Sequence, residues 1–302
     1  MEYLEVLLQT TLRNLPPVLL AGLGGMLANR VGVLNLGLEG MMLMGSFVGV
    51  IVSFYTHSAL LAILAAGLSG AVLGIIFSVL TLRFRANATV VGVSINMLAL
   101  GLTTYLLSVM FGVRGSFSDT SIAAIPKVNL DFLAHVPVLN ALNGQAITVY
   151  VALLAVVLLQ YVLYKTPLGL RVRATGYHKM AVTTAGVNSG GIQYGALILS
   201  GFLCGLGGVH LSLGQLTMFT ENMTSGRGFI AMAATIFGRN TPAGTLLGSL
   251  LFSVADAVTR KAQTSGFPSM LVDMIPYLVT VITLWIVAAD AMRKAKKVTA
   301  NG

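Results

Sequence analysis

The chain has 302 residues, 56% of them hydrophobic and only 9% charged, with a mean hydropathy of +0.88 and a formal net charge of +9. Soluble domains carry roughly 25% charged residues, so this balance excludes a soluble enzyme of one or two domains, and the wealth of apolar side chains excludes a disordered chain. Together with 34 glycines, the apolar residues suffice for about nine spans of roughly 20 residues, which predicts an all-α polytopic membrane protein of about 8–10 transmembrane segments.

Hydropathy breaks give the elements in order. Residues 2–15 alternate apolar and polar groups at helical spacing and are expected at the membrane interface. Glu2 and Glu5 precede the first basic residue, Arg13, which is the wrong polarity for a secretory signal, so the first apolar segment, 16–31, is expected to be retained. The second, 35–55, opens on Asn35 and Glu39, four apart on one helix face, a polar start that predicts a break. Segments 59–82 and 89–112 follow, the latter carrying Asn96. The connection 113–145 holds two basic residues, two acidic ones and two prolines and is expected outside. After 146–164 comes the loop 165–191, with Lys165, Arg171, Arg173 and Lys179 and no acidic residue. Then come 192–214, the stretch 228–238 that is too short for a full span, 242–258 and 271–289. Arg83 and Arg85, the loop 165–191 and the tail with Arg293, Lys294, Lys296 and Lys297 are the basic places, and basic loops stay in the cytoplasm. Nine segments with a cytoplasmic C-terminus put the N-terminus outside. The pairs Gly45/Gly49, Gly70/Gly74, Gly191/Gly195, Gly201/Gly205 and Gly244/Gly248 are each spaced to let a second helix approach closely, within the chain or between subunits.

The chemistry is marked by absences. No G-x-x-x-x-G-K-[ST] and no G-x-G-x-x-G occurs, so no nucleotide phosphate is expected on this chain. No G-x-S-x-G or H-E-x-x-H anchors a hydrolase. The single cysteine, Cys204, and the scattered His57, His135, His178 and His210 leave no expected metal site. No basic stretch is interleaved with aromatics, so nucleic acid is not an expected partner; membrane lipid is. The acids within spans are Glu39, Asp256 and Asp273. An intramembrane charge costs roughly 2.5–3.5 kcal/mol on insertion scales, so each needs a partner. Arg260 stands four residues after Asp256. Glu39 reads as a capped structural carboxylate, a substrate contact or a support for the broken helix, and Asn96 as an interhelical hydrogen bond or a substrate contact. Three dispersed acids disfavour an ion-coupled secondary carrier. A pathway without its own engine points to an engine on another chain, docking on 165–191. The different-class alternatives are that carrier and a membrane scaffold or receptor.

That loop carries a resemblance. Gly169-Leu-Arg-Val-Arg-Ala-Thr-Gly176 and Ala181-Val-Thr-Thr-Ala-Gly-Val-Asn188 resemble the coupling segment of ATP-binding-cassette (ABC) importer permeases of the branched-chain amino-acid, ribose and nucleoside family. Leu34-Asn-Leu-Gly-Leu-Glu-Gly-Met-Met-Leu-Met-Gly45 and Ser225 to Arg239, running into Pro242 and Asp256, are similar to its N- and C-terminal signatures. Glu39-Gly40-Met41 and Gly226-Arg-Gly-Phe229 look closest to the nucleoside or simple-sugar branch. The resemblance implies one permease domain over 1–302 in the inner membrane of a prokaryote. It implies an ATPase partner that holds ATP and Mg, a second permease subunit and an external substrate-binding lipoprotein. It implies a coupling role for Arg171, Arg173, Ala174, Thr175, Gly176, Ala181, Ala185 and Gly186. Gly176 is expected in a segment that turns sharply between short cytoplasmic helices, since glycine adopts positive φ at little cost. A nucleoside pathway would favour amides and aromatic faces, for which Asn35, Glu39, Asn96, Phe229 and Phe237 are the pathway candidates; ribose-type sugars and branched-chain amino acids remain alternative solutes. Where relatives often carry an acid before the alanines of the coupling segment, this chain has Lys179-Met180-Ala181.

Overall fold

Residues Glu2–Arg30 form one continuous 29-residue helix, α1, in the computed structural model, which describes residues 2–128 and 142–264. The stretch 2–15 is therefore the first half of a span-length helix and not a separate interfacial element. The rest of α1 is enclosed by protein: Leu15, Leu19, Leu20, Leu23 and Met26 are all buried. Pro17 has no N–H, so the Arg13 carbonyl lacks its intrahelical donor. His210 Nε2 at 2.9 Å and Gln215 Nε2 at 3.0 Å donate to it instead, and the Arg13 guanidinium donates to the Gln215 carbonyl at 2.7 Å.

Beyond Arg30 the backbone leaves the helix until α2, Leu38–Thr56. Helix α3, Ala59–Ser78, ends in a π-helical turn, Val79–Arg83. Helix α4, Ala88–Phe111, starts at Asn87, whose side chain accepts from the amides of Thr89 and Val90. Two small antiparallel ribbons follow: β1, Ser116–Phe117, pairs with β4, Phe219–Thr220, and β2, Lys127–Val128, pairs with β3, Gln145–Ala146. Then come α5, Ile147–Lys165, the short helices α6, Pro167–Tyr177, and α7, Lys179–Thr184, and α8, Ser189–Val209, which runs on as a π-helical segment, His210–Leu216. Helix α9, Arg227–Phe237, is short, and α10 covers Pro242–Thr264. Among the described residues, six helices are long and apolar enough to cross a membrane, namely α2, α3, α4, α5, α8 and α10; α1 is long enough but less apolar, and α9 is too short. The candidate segment 271–289 and the basic tail lie outside the described residues, as does 129–141 of the external connection.

Helix α8 is the hub, packed on α1, α2 and α3. A Cβ on Gly201 would lie 2.2 Å from the Gly70 carbonyl oxygen, and one on Gly45 would lie 2.5 Å from the Gly205 Cα. Those backbones touch, as small residues at matched spacing allow where lipid removes the hydrophobic drive between helices. Gly244 and Gly248 likewise pack within the chain, on Gly238 and Ala234. Gly191/Gly195 is the exception: among the described residues nothing lies within 4 Å of a Cβ on Gly195, and one on Gly191 would meet the Asn188 side chain first. Outside the hub, α3 exposes Leu60, Leu64, Leu68 and Val72, α4 exposes Val90, Val93 and Met97, and α5 exposes Leu154, Leu158 and Tyr161. Helices with continuous apolar outer stripes are enclosed by lipid, where every backbone group must be met internally. The protein is a multi-pass membrane protein.

The two ends of the bundle differ. At one end Arg30 meets Asn240, and Gly176 abuts the Arg30 backbone. At the other, Arg13 meets Gln215, the Gly115 amide donates to Glu221 at 2.9 Å, and His57 Nδ1 lies 2.9 Å from the Ser121 carbonyl.

Candidate functional site

Two interruptions of the helical pattern meet inside the bundle. The first is the non-helical segment between Arg30 and Leu38. It reaches Ser200 of α8, which lies 11 residues past the start of that helix at about 1.5 Å per residue, near the middle of a hydrocarbon core about 30 Å thick. Irregular backbone at that depth needs side chains to satisfy it. Asn35 accepts from the Gly37 amide at 2.9 Å and donates to Ser200 Oγ at 3.3 Å. Asn96 accepts from the Gly40 amide at 2.7 Å and donates to the Leu36 carbonyl at 2.9 Å. Gln193 Nε2 donates to the Val31 carbonyl at 3.0 Å.

The second interruption precedes α9. Gly226, with φ of +83°, turns the chain into this half-length helix, whose first amides point at Glu39. The Gly226 amide donates to Glu39 Oε1 at 2.8 Å and the Gly228 amide to Oε2 at 2.6 Å. One carboxylate thus caps a helix start with both oxygens, at the end where the backbone N–H groups carry partial positive charge. A Cβ on Gly228 would lie 2.5 Å from the Glu39 nitrogen, so only glycine permits the approach.

The expected pathway residues therefore separate. Asn35, Glu39 and Asn96 come together, with their oxygens accepting from backbone amides at the two breaks and the Asn35 NH2 group donating to Ser200 Oγ. Phe237 is half-buried and stacked on Phe252 with centroids 5.8 Å apart. Phe229 is exposed on α9, beside exposed Ser225 and Asn222. Ser225 and Asn222 both hold positive φ, a backbone state that sequence reading had no means to assign. Along α10 the buried hydroxyls of Thr245, Ser249 and Ser253 recur every fourth residue and, like that of Thr224, find no hydrogen-bond partner among the described residues. The spacing of that stripe was readable, but nothing marked it as buried. Asp256 pairs with Arg260 at 3.2 Å, as the i,i+4 spacing predicts.

The basic loop folds into α6 and α7. Thr166 accepts from the Gly169 amide and Pro167 opens α6, a favoured N-terminal combination. His178, not Gly176, makes the turn: its Nδ1 accepts from the Ala181 amide at 3.2 Å and starts α7. The segment does turn between two short helices, but Gly176 itself is helical and without positive φ, which corrects the expectation that it forms the turn. Its constraint is proximity, since a Cβ would lie 2.1 Å from the Arg30 carbonyl oxygen. The positive-φ glycine of the loop is Gly186, at +78°. Arg171, Gly176, Ala181, Ala185 and Gly186 are exposed, Ala174 is half-buried and Thr175 is buried. Arg173 turns inward, its guanidinium carbon 4.9 Å above the Tyr164 ring. Among the described residues, no three His, Cys, Asp or Glu side chains converge as a metal site would require.

Residues 7–284 match the family described as the permease component of branched-chain amino acid transport systems. The chain belongs to this permease family. The permease is 35% identical over 306 aligned residues, 96% of this chain and 95% of the relative, to the guanosine ABC transporter permease protein NupQ of Bacillus subtilis. It is 31% identical to the nucleoside ABC transporter permease protein NupC of Lactococcus lactis, over 93% of this chain and 92% of the relative. The putative glucose ABC transporter permease protein TsgC13 of Haloferax volcanii is 34% identical, over 87% and 80% of the two chains. Among solved structures, an inward-facing putative metal-chelate type ABC transporter superposes with a TM-score of 0.52 at 15% identity, over 93% of the permease and 86% of that chain. That likeness places the permease in the same fold.

Proposed function

We propose that this permease is the membrane subunit of an ABC importer that carries nucleosides. The observation that carries the reading is structural: an exposed pair of short helices, α6 and α7, rich in basic and small residues, is tied at Gly176 to the end of α1. Such a pair suits a partner ATPase that holds ATP and Mg, with Arg171 and the Ala181–Gly186 face presented to it. The similarity to guanosine and nucleoside permeases over nearly the whole chain supports the solute class. A second permease subunit and an external lipoprotein complete the assembly. The end bearing Arg30, Arg85, Arg171 and Lys179 is cytoplasmic, in the inner membrane of a prokaryote, and the C-terminus lies on that side.

In this reading ATP closes the partner domains, and α6 passes the motion through Gly176 to α1 and to the half helix α9. Alternating access needs two states that ATP binds unequally. Asn35, Glu39 and Asn96 hold the two breaks in register, while Phe229 with Ser225 and Asn222 lines the pathway. Glucose-type sugars are the second reading, favoured by the similarity to TsgC13. Cells carrying the intact system should take up radiolabelled guanosine, with competition by other nucleosides but not by glucose, ribose or leucine; competition by glucose alone would transfer the assignment to sugars.

Ala181→Arg tests the docking face. Ala181 is exposed at the first turn of α7, so an arginine fits without disturbing the bundle and collides only with a partner. The variant is expected to accumulate normally and to lose ten-fold or more of substrate-stimulated ATP hydrolysis in the reconstituted complex, measured by phosphate release. Unchanged hydrolysis would show that α7 does not face the ATPase.

A further inference from the structure

The two short helices of the basic loop hold α1 and α8 by their ends. Gly176 of α6 abuts the Arg30 carbonyl at the end of α1, and Thr183 of α7 shares a 2.8 Å hydrogen bond with Ser189, the first residue of α8. From there α1 and α8 run side by side. A Cβ on Gly24 would lie 2.6 Å from the Ser200 carbonyl oxygen, and one on Gly207 would lie 3.0 Å from that of Pro17. Both helices lose their regular ladder at this second contact. In α1, Pro16 and Pro17 withhold two N–H groups. In α8 the pattern becomes π-helical at His210, which follows the 21 residues of α8. At about 1.5 Å per residue this level lies roughly 30 Å from Ser189, at the opposite edge of the hydrocarbon core.

His210 joins the two interruptions. Its ring is fully buried. Nε2 donates to the Arg13 carbonyl that Pro17 leaves without its helical donor, so Nδ1 is the accepting nitrogen and takes the Thr148 hydroxyl of α5. Two residues on, Ser212 donates to the Ser46 carbonyl of α2 at 3.1 Å. Helices bend at prolines and at π-helical turns, where displaced or missing hydrogen bonds offer less resistance. Here the carbonyl freed in one helix is bonded to the irregular turn of the other, so neither bends alone. We propose that His210 is a positioning residue for transport: it pins a joint at which α1 and α8 bend as a pair. Motion received from α6 and α7 at one end of the pair is thereby delivered to β4 and the Asn222–Ser225 turn at the other. This use of the joint rests on the importer reading; the joint itself does not.

Pro17→Ala separates the two. It returns an N–H to the Arg13 carbonyl, so the chain keeps its stability while the α1 half of the joint stiffens. Hydrogen exchange of the full chain in nanodiscs reads the joint without any partner. Pro17→Ala should slow exchange not only at residues 13–17 but also across 210–216, by roughly ten-fold, the size of one retained hydrogen bond. Unchanged exchange across 210–216 would overturn the joint. Uptake of guanosine by the reconstituted complex then reads the role. His210→Leu should cut maximal uptake by about ten-fold with the half-maximal guanosine concentration unchanged, and His210→Gln, which keeps a donor near the Nε2 position, should restore much of it. Adding Pro17→Ala to His210→Leu should recover the thermal midpoint but not the uptake. Recovery of both together would show a merely structural histidine and overturn the positioning role. If His210→Leu folds poorly, Pro17→Ala alone decides, since parental uptake in that variant would overturn the role equally. A parent complex that takes up no nucleoside would fail the importer reading instead, and the exchange result would still decide the joint.

Discussion

Gly205→Val is expected to abolish accumulation of folded protein in the membrane, whereas Gly195→Val and Gly101→Val accumulate like the parent. All three are helical glycines in apolar surroundings, and only the neighbours differ. A Cβ on Gly205 would lie 2.1 Å from the Ala66 carbonyl oxygen of α3, while from α2 the Gly45 backbone already approaches the Gly205 Cα. Among the described residues, a Cβ on Gly195 or Gly101 meets nothing within 4 Å. Overpacking a core by a few methyl groups costs about 1–3 kcal/mol when side chains can give way. At Gly205 the obstacle is backbone on both sides, so the cost exceeds that range unless α3 and α8 separate. Fluorescence-detected size exclusion of the three variants as fusion proteins measures the folded fraction. Equal peaks for all three would mean that the α3–α8 crossing does not organise the bundle.

That contrast also shows how far sequence could go. Gly191/Gly195 and Gly201/Gly205 have identical spacing on the same helix, and spacing says which residues share a face but not what stands opposite. The spans at α2, α3, α4, α5, α8 and α10, the break between Arg30 and Leu38, the shortness of α9 and the Asp256–Arg260 pair were legible because each depends on residues close in sequence. The polar start at Asn35 and Glu39 could be read as a break for the same reason. What Glu39 does could not, since its partners are 187 and 189 residues away. Likewise the Arg13 carbonyl, which Pro17 leaves without its intrahelical donor, finds its replacements in His210 and Gln215 only through the fold. The coupling loop was legible as a unit through its resemblance, but its two faces were not. Arg171 and Arg173, two residues apart in one sequence block, end on opposite duties: one outward, one stacked inside on Tyr164.

Glu39→Ala is expected to destabilise the folded chain by about 3–5 kcal/mol, because two hydrogen bonds to a charged acceptor, each worth roughly 1.5–3 kcal/mol, are lost and the half-buried amide of Gly226 and the buried amide of Gly228 are left unmet. The favourable placement of a negative charge at the start of α9 disappears with them. Glu39→Gln should fall between the parent and Ala: the amide oxygen keeps one bond, but its NH2 group turns a donor toward the second amide. The ordering separates two roles for this carboxylate. A cap stabilises the chain whether or not solute is present, so thermal midpoints without solute should run parent, then Gln, then Ala, and maximal uptake rate should fall in the same order. A carboxylate whose purpose is to touch solute would give the opposite pattern, with Glu39→Gln as stable as the parent and altered only in the solute concentration needed for half-maximal uptake. With both oxygens within 2.8 Å of α9 amides, the first pattern is the expected one, and the half helix rather than the solute is what Glu39 holds.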